Sequence, residues 1–519
     1  MVELRALILT CFAAAMIHPQ AVPQTAPAEP ARAGMAQGPR RSCAELRGLT
    51  GYEFSIATAA LVPASATAPE HCRVTGQILP EIRFEVSLPT AWSGRFYMTG
   101  NGGYAGEPLD SPQRARQRET AMRRGLAFAI TDTGHDAAAE PLATFAVHSQ
   151  KLLDYAFRSL HVTAVTAKRV IEAYYGAAPT RSYFEGCSTG GRQALILAQR
   201  FPEDFDGILA GAPVLNFTGT MVNYAACLQA MEANPIPYGK LAALASRIYQ
   251  QCDGADGLTD GLIEDPRRCD FRPARDLPRC PEGGDAPDCF TQGQIATLER
   301  IYGDLYSQGR RIFPGWPVGA EITGPDGRSG WDNWIVRRDG GRPIWALFAE
   351  TFFRYMAFPQ KDPEYSLAKF DLEKDPARLE WIHSVLDATD TDLARFRERG
   401  GKLLMYFGWA DPALNPRMGV EYYESVRERM GTSTLEFFRL FMIPGMFHCG
   451  GGVGTSTFDL LGPLVEWVEK GVPPDRILAS RIVQGKTVRT RPLCPYPQVA
   501  RYNGSGSIDE AANFTCRMP

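Results

Sequence analysis

Apolar positions in this chain fall into two rhythms. Short unbroken apolar runs bounded by glycine or proline alternate with longer stretches in which apolar residues return every three or four positions. "GRFYMTG" (Gly94–Gly100) and "GLAFAITDTG" (Gly125–Gly134) are of the first kind and predict buried strands. "LDYAFRSLHVTAVTAKRVIEAYYG" (Leu153–Gly176) has helical spacing and stops on a glycine. "RSYFEG" (Arg181–Gly186) predicts a strand, "GRQALILAQRFP" a helix directly after it, and "DGILAGAP" (Asp206–Pro213) another strand. Strands that alternate with helices lie side by side in one direction, so the pattern predicts an α/β protein with a largely parallel sheet.

The rhythm breaks after Pro213. Residues 216–395 are rich in Gly, Pro and Asp and hold an aromatic stretch, "GWDNWIVRRDGGRPIWALFAETFFRYMAF". Strand signals resume at "GGKLLMYFGWADP" (Gly400–Pro412) and at "EFFRLFMIPGMFHCGGG", which starts at Glu436. The predicted organisation is a core in two parts, 43–215 and 396–519, with 216–395 inserted between them.

Composition narrows the picture. The 519 residues carry a formal net charge of -3, with no basic stripe for nucleic acid and no acidic tail. At the amino end, Arg5 precedes an apolar run from Ala6 to Ile17, too short to span a bilayer but suited to a signal peptide, set at residues 1–24. A buried helix is the alternative. Residues 18–42, rich in Pro, Ala and Gln, resemble a linker. No later run is long enough to predict a membrane span. Of twelve cysteines, Cys252 and Cys269, Cys280 and Cys289, and Cys494 and Cys516 are closely spaced, and Cys43 and Cys72 lie near the presumed mature start. In a secreted or periplasmic protein these predict disulfides, and no Cys-x-x-Cys pair points to zinc.

Chemistry enters at "FEGCSTGGRQ". Gly-x-Ser-x-Gly between a strand and a helix is the nucleophile-elbow pattern, which lifts Ser188 above the strand's carboxyl end. The alternative is a Gly-rich turn with a helix-capping serine. A nucleophilic serine needs a base, and the base a carboxylate, in the chain order Ser, Asp or Glu, His. Only His383 and His448 follow Ser188. His383 lies in a helical pattern within the insertion, whereas His448 follows a strong strand in a Gly-rich loop. Asp411 follows the preceding strand, although surface-loop aspartates are common. A second oxyanion donor should come from the loop in "FYMTGNGGYAG": Gly103 is the choice, with Gly102 as the alternative, beside Thr189 at the helix start. A flexible turn is the plainer reading. Cys187 precedes Ser188 and Cys449 follows His448, so a bond between them would fasten nucleophile loop to base loop. Two unrelated buried thiols are the alternative.

Together, "GCSTGG", "GWADP" and "PGMFHC" resemble the tannase and feruloyl esterase family. The likeness runs from about Cys43 to the carboxyl end, apart from the middle of the insertion. It implies an α/β-hydrolase fold with a large inserted lid domain, the triad Ser188, Asp411 and His448, and oxyanion donors at Gly103 and Thr189. It also implies the pairs Cys43–Cys72, Cys187–Cys449, Cys252–Cys269, Cys280–Cys289 and Cys494–Cys516, leaving Cys227 as a buried free thiol. "CDGADGLTDGLIEDPRRC" crowds three aspartates among glycines, which a hard cation would neutralise. A solvated acidic turn is the alternative. The resemblance implies a structural Ca2+ in the lid, held by Asp253, Asp256, Asp260 and the carbonyls of Leu258 and Leu262.

The implied activity is hydrolysis of small aromatic esters such as feruloyl or galloyl esters. Terephthalate monoesters, such as mono(2-hydroxyethyl) terephthalate, are a narrower option that needs a cationic grip on the free carboxylate; Arg337, Arg338 and Arg342 are the candidates. Trp331, Trp334, Trp345, Phe348, Phe352 and Phe353 offer rings to an aromatic acyl group, or form the lid's own core. A lactonase or peptidase on the same scaffold, and a non-catalytic calcium-dependent binding module, are the remaining alternatives.

Overall fold

The computed structural model describes residues 38–519; the expected signal peptide and most of the linker lie outside them. Eleven strands come first along the chain: β1 Phe54–Val62, β2 His71–Ile78, β3 Ile82–Pro89, β4 Arg95–Thr99, β5 Ala127–Thr131, β6 Arg181–Cys187, β7 Gly207–Gly211, β8 Leu305–Ser307, β9 Arg310–Phe313, β10 Lys402–Gly408 and β11 Phe438–Ile443. Nine form one sheet in the order β1-β2-β3-β5-β4-β6-β7-β10-β11. From β5 to β11 every pairing is parallel, whereas β1, β2 and β3 pair antiparallel and β3 joins β5 antiparallel. The parallel strands are buried on both faces, with every residue of β5 and β7 inside, which is why each reads as a continuous apolar run. β1 carries no such run, because it lies at an edge with most of its residues open to water, whereas β2 and β3 are mostly buried.

The predicted helix at Leu153–Gly176 forms as Ser159–Tyr175, closed by Gly176 in the left-handed region (φ 72°). One π turn, Asp154–Arg158, sits in front of it. The helix Thr189–Arg200 follows β6 directly.

The chain leaves the sheet after β7 and returns at β10. Between them lie the helices Phe217–Ala233, Leu241–Cys252, Gln292–Tyr302 and Ile344–Tyr355 and the hairpin β8–β9. Aromatic stacking consolidates this region: Tyr224 lies 4.5 Å from Trp345, and Trp316 4.7 Å from Trp345, centroid to centroid. Beyond the helix Leu461–Lys470, the pairs β12 (Ile477–Val483) with β13 (Lys486–Leu493) and β14 (Val499–Tyr502) with β15 (Phe514–Arg517) stand outside the main sheet. From residue 396 onward, therefore, only β10 and β11 extend the sheet.

Five disulfides join Cys43–Cys72, Cys187–Cys449, Cys252–Cys269, Cys280–Cys289 and Cys494–Cys516. Cys227 is a buried free thiol whose pKa burial pushes up to about 12, so it stays protonated. Among the described residues no helix is long and apolar enough to cross a membrane.

Candidate active site

Ser188 stands between the last residue of β6 and the first residue of the following helix, with φ 66° and ψ -121°. An L-residue adopts that conformation only under constraint, and here the constraint is the elbow. The turn is too tight for side chains around it: a Cβ on Gly186 would lie 2.5 Å from the backbone of Gly190. The Ser188 N–H donates to the Gly211 carbonyl at the end of β7 (3.0 Å). Although Ser188 occupies the helix N-cap, its side chain makes no capping hydrogen bond. The hydroxyl is therefore not spent on the helix, which removes the capping alternative.

Asp411 and His448 follow the adjacent parallel strands β10 and β11. The buried Asp411 carboxylate accepts the N–H groups of Ala413 (2.8 Å) and Leu414 (2.9 Å) through Oδ1, which fixes its rotation. Its Oδ2 accepts from His448 Nδ1 at 2.8 Å. With the proton on Nδ1, Nε2 presents a basic lone pair. The Cys187–Cys449 bond, spanning Cα atoms 6.0 Å apart, brings the residues beside Ser188 and His448 together. His383 belongs elsewhere: its Nδ1 donates to Asp387 (2.7 Å), a carboxylate that also caps the helix Phe217–Ala233 through Thr218.

The loop after β4 faces this site. Gly103 has φ 49°, and its carbonyl accepts from Tyr155 Oη (3.2 Å) and from Thr189 Oγ1. The Gly102 N–H donates to Glu107 Oε1 (2.7 Å), so Gly102 is withdrawn as an oxyanion donor. Thr189 opens its helix, where an N–H has no intrahelical acceptor. His135 buttresses the loop from below. Its Nε2 donates to the Tyr104 carbonyl (3.0 Å), its ring stacks on Phe145 at 3.9 Å, and burial lowers its pKa to about 4.

Two aromatic side chains of the segment between β7 and β10 reach the site. The Trp334 ring meets the His448 imidazole edge-on, 5.2 Å between centroids, and a Cβ on Gly103 would lie 3.6 Å from Phe348 Cζ. Trp331, Trp345, Phe352 and Phe353 are buried in the core instead. The three candidate arginines are engaged elsewhere. Arg337 donates to Asp339, Arg338 stacks on Tyr238 and bonds its hydroxyl, and Arg342 pairs with Glu350.

The acidic loop folds around its own amides. Asp253 accepts the N–H groups of Asp260 (3.0 Å) and Gly261, Asp256 that of Leu258, and Asp260 that of Leu262. The carboxyl-terminal strands hold it from outside: Arg491 bonds Asp260, and Arg501 the Asp256 carbonyl. Among the described residues no three His, Cys, Asp or Glu side chains converge as a metal cluster. The charge is nevertheless crowded. Burial, then the neighbouring carboxylates, raise the pKa of Asp256, and for the same reasons Glu264 is pushed up to about 8. Arg491 and Arg489 offset part of the charge at Asp260, and the oxygens of the loop are of the donor type that a hard divalent cation takes.

Strand order, elbow and acid–histidine pair together define a hydrolase of the α/β type. The family model "Tannase and feruloyl esterase" matches residues 66–517, and the chain belongs to that family. It is a carboxylic ester hydrolase. An uncharacterised esterase of Xanthomonas campestris pv. campestris is 36% identical, over 92% of this chain and 91% of that protein. The mono(2-hydroxyethyl) terephthalate hydrolase of Piscinibacter sakaiensis is 34% identical, over 88% of this chain and 87% of that one. In three dimensions the crystal structure of feruloyl esterase B from Aspergillus oryzae superposes with a TM-score of 0.80 at 26% identity, covering 91% of this chain and 98% of the other.

Several residues of the site were not legible in the sequence. Glu107, Tyr155 and His135 fit no motif, and their roles arise from contacts across the fold. The loop glycines led to Gly103 with Gly102 as the alternative, without showing the Glu107 contact that engages the Gly102 N–H.

Proposed function

We propose that the chain is a secreted serine esterase that cleaves uncharged aromatic esters through an acyl-enzyme. One observation carries the reading: the Asp411–His448 pair and the unspent hydroxyl of Ser188 flank the two halves of one disulfide. His448 Nε2 takes the Ser188 proton as Oγ attacks the ester carbonyl. Asp411 holds the ring's tautomer and stabilises the imidazolium. The Gly103 and Thr189 N–H groups receive the tetrahedral oxyanion. His448 then protonates the departing alcohol, and water repeats the sequence on the acyl-enzyme. Five disulfides support passage through an oxidising compartment.

Trp334 and Phe348, one beside the base and one beside the oxyanion loop, support an aromatic acyl group. The three candidate arginines are paired elsewhere, so the cationic grip expected of them on a free carboxylate is missing, which disfavours terephthalate monoesters. A panel of methyl esters tests this. Ferulate, gallate and 4-hydroxybenzoate should exceed butyrate in kcat/KM by about 10²-fold, the worth of roughly 3 kcal/mol of ring burial and stacking. Monomethyl terephthalate should be slower than 4-hydroxybenzoate by about tenfold or more. Equal rates for butyrate and ferulate would reject the aromatic assignment.

Ca2+ belongs to the same proposal, held by Asp253, Asp256, Asp260 and the carbonyls of Leu258 and Leu262. Its contribution there is charge neutralisation in the lid, with no part in the chemical steps. Removing it with EGTA should lower the thermal midpoint, and adding CaCl2 should restore it; at 100 times Kd the ion contributes about 2.7 kcal/mol. An unchanged midpoint would reject the ion.

A further inference from the structure

The Gly103 N–H points where its peptide plane points, and that plane is held by groups outside it. In a trans peptide the C=O and the next N–H face opposite ways, so fixing one aims the other. The Gly102 carbonyl accepts the Ala105 N–H (2.8 Å), and the Gly102 N–H donates to Glu107 Oε1 (2.7 Å). The other oxygen of Glu107 accepts Asn101 Nδ2 (2.8 Å) and pairs with Arg114 Nη2. Arg114 in turn donates to the Gly100 carbonyl (2.8 Å).

Asn101 extends the connection to the nucleophile. Its N–H donates to Gln193 Oε1 (2.9 Å), and its Oδ1 accepts from Gln193 Nε2 (3.2 Å). Gln193 lies on the helix that Ser188 opens. One carboxylate thus links the loop carrying Gly103 to the helix carrying Thr189. The side chains of Glu107 and Arg114 are only 13% and 3% exposed. In such surroundings their hydrogen bonds are strong, and a bare carboxylate near a developing oxyanion would be adverse without its guanidinium partner.

We propose that Glu107 is a positioning residue of the oxyanion hole: it holds the Asn101–Gly102 peptide, which directly precedes the peptide bearing the Gly103 N–H, in register with the nucleophile helix and keeps the Gly102 N–H out of the site. The proposal rests on the assignment of Gly103 and Thr189 as oxyanion donors.

The full chain and its Glu107→Ala and Glu107→Gln variants are compared with 4-nitrophenyl acetate and with a fluorophosphonate whose adduct is mapped by mass spectrometry. In Glu107→Ala, kcat should fall by about 10²-fold, the scale of losing one oxyanion donor, with KM changed by less than about threefold. Phosphonylation of Ser188 should slow in parallel, since its transition state loads the same hole. Glu107→Gln keeps an acceptor for the Gly102 N–H and should recover kcat to between about 3- and 10-fold below wild type. A folded Glu107→Ala variant with wild-type kcat, or with its loss confined to KM, overturns the proposal. Should that variant fail to fold, Glu107→Gln decides alone, and a kcat equal to wild type overturns it. Wild-type protein that reacts with the probe at a residue other than Ser188 sinks the underlying site assignment instead.

Discussion

Ser188→Ala abolishes ester hydrolysis, with a fall in kcat of about 10⁴- to 10⁶-fold, and leaves the fold intact. The size follows from the role: without Oγ there is no acyl-enzyme, and only the oxyanion hole and substrate binding remain. The intact fold follows from the structure. The side chain makes no capping bond, and alanine meets the same positive φ that serine already tolerates. The measurement is single-turnover and steady-state hydrolysis of methyl ferulate beside a thermal melt. A melt lowered by no more than about 1 kcal/mol with activity gone separates chemistry from folding. Activity near wild type would reject Ser188.

Cutting the Cys187–Cys449 bond has the second largest effect. The paired variant Cys187→Ser with Cys449→Ser loses the constraint on a 262-residue separation, worth about 5.6 kcal/mol on chain-entropy arithmetic. It also frees the His448 loop from the elbow, and a displacement of about 1 Å there costs about 10²-fold in kcat. The control is Cys252→Ser with Cys269→Ser. That bond spans 17 residues, is worth about 3 kcal/mol, and ties only the acidic loop. Both variants should melt earlier in denaturant titrations. Only the first should lose kcat on the protein that remains folded. Equal losses of kcat would show the Cys187–Cys449 bond to be a staple and no more.

The parallel half of the sheet was legible in the sequence for a physical reason. β4, β5, β6, β7, β10 and β11 are short apolar runs closed by glycine or proline. β1 was not, since Phe54–Val62 mixes apolar and polar residues along an exposed edge. The π turn at Asp154–Arg158 also stayed hidden, because it inserts into a segment whose apolar spacing still looks helical. In the site, strand ends and chain order pointed to Ser188 and His448, while the choice of Asp411 rested on the family resemblance as well as on its strand end. The Gly-rich loop led to Gly103 ahead of Gly102, but the contact that withdraws Gly102, the Glu107 carboxylate on its N–H, was not visible there. The aromatics of the inserted segment show the same limit. Trp331 and Trp334 are three residues apart and alike in composition, yet one is buried in the core and the other stands against His448.

The central claim is that Ser188 is the nucleophile that His448 and Asp411 activate. Its most direct test is active-site labelling with a fluorophosphonate, followed by peptide mapping of the intact, disulfide-bonded protein. A single stoichiometric adduct on Ser188, absent from His448→Ala, is the predicted result. Folded protein that hydrolyses esters while its Ser188 peptide stays unmodified would contradict it.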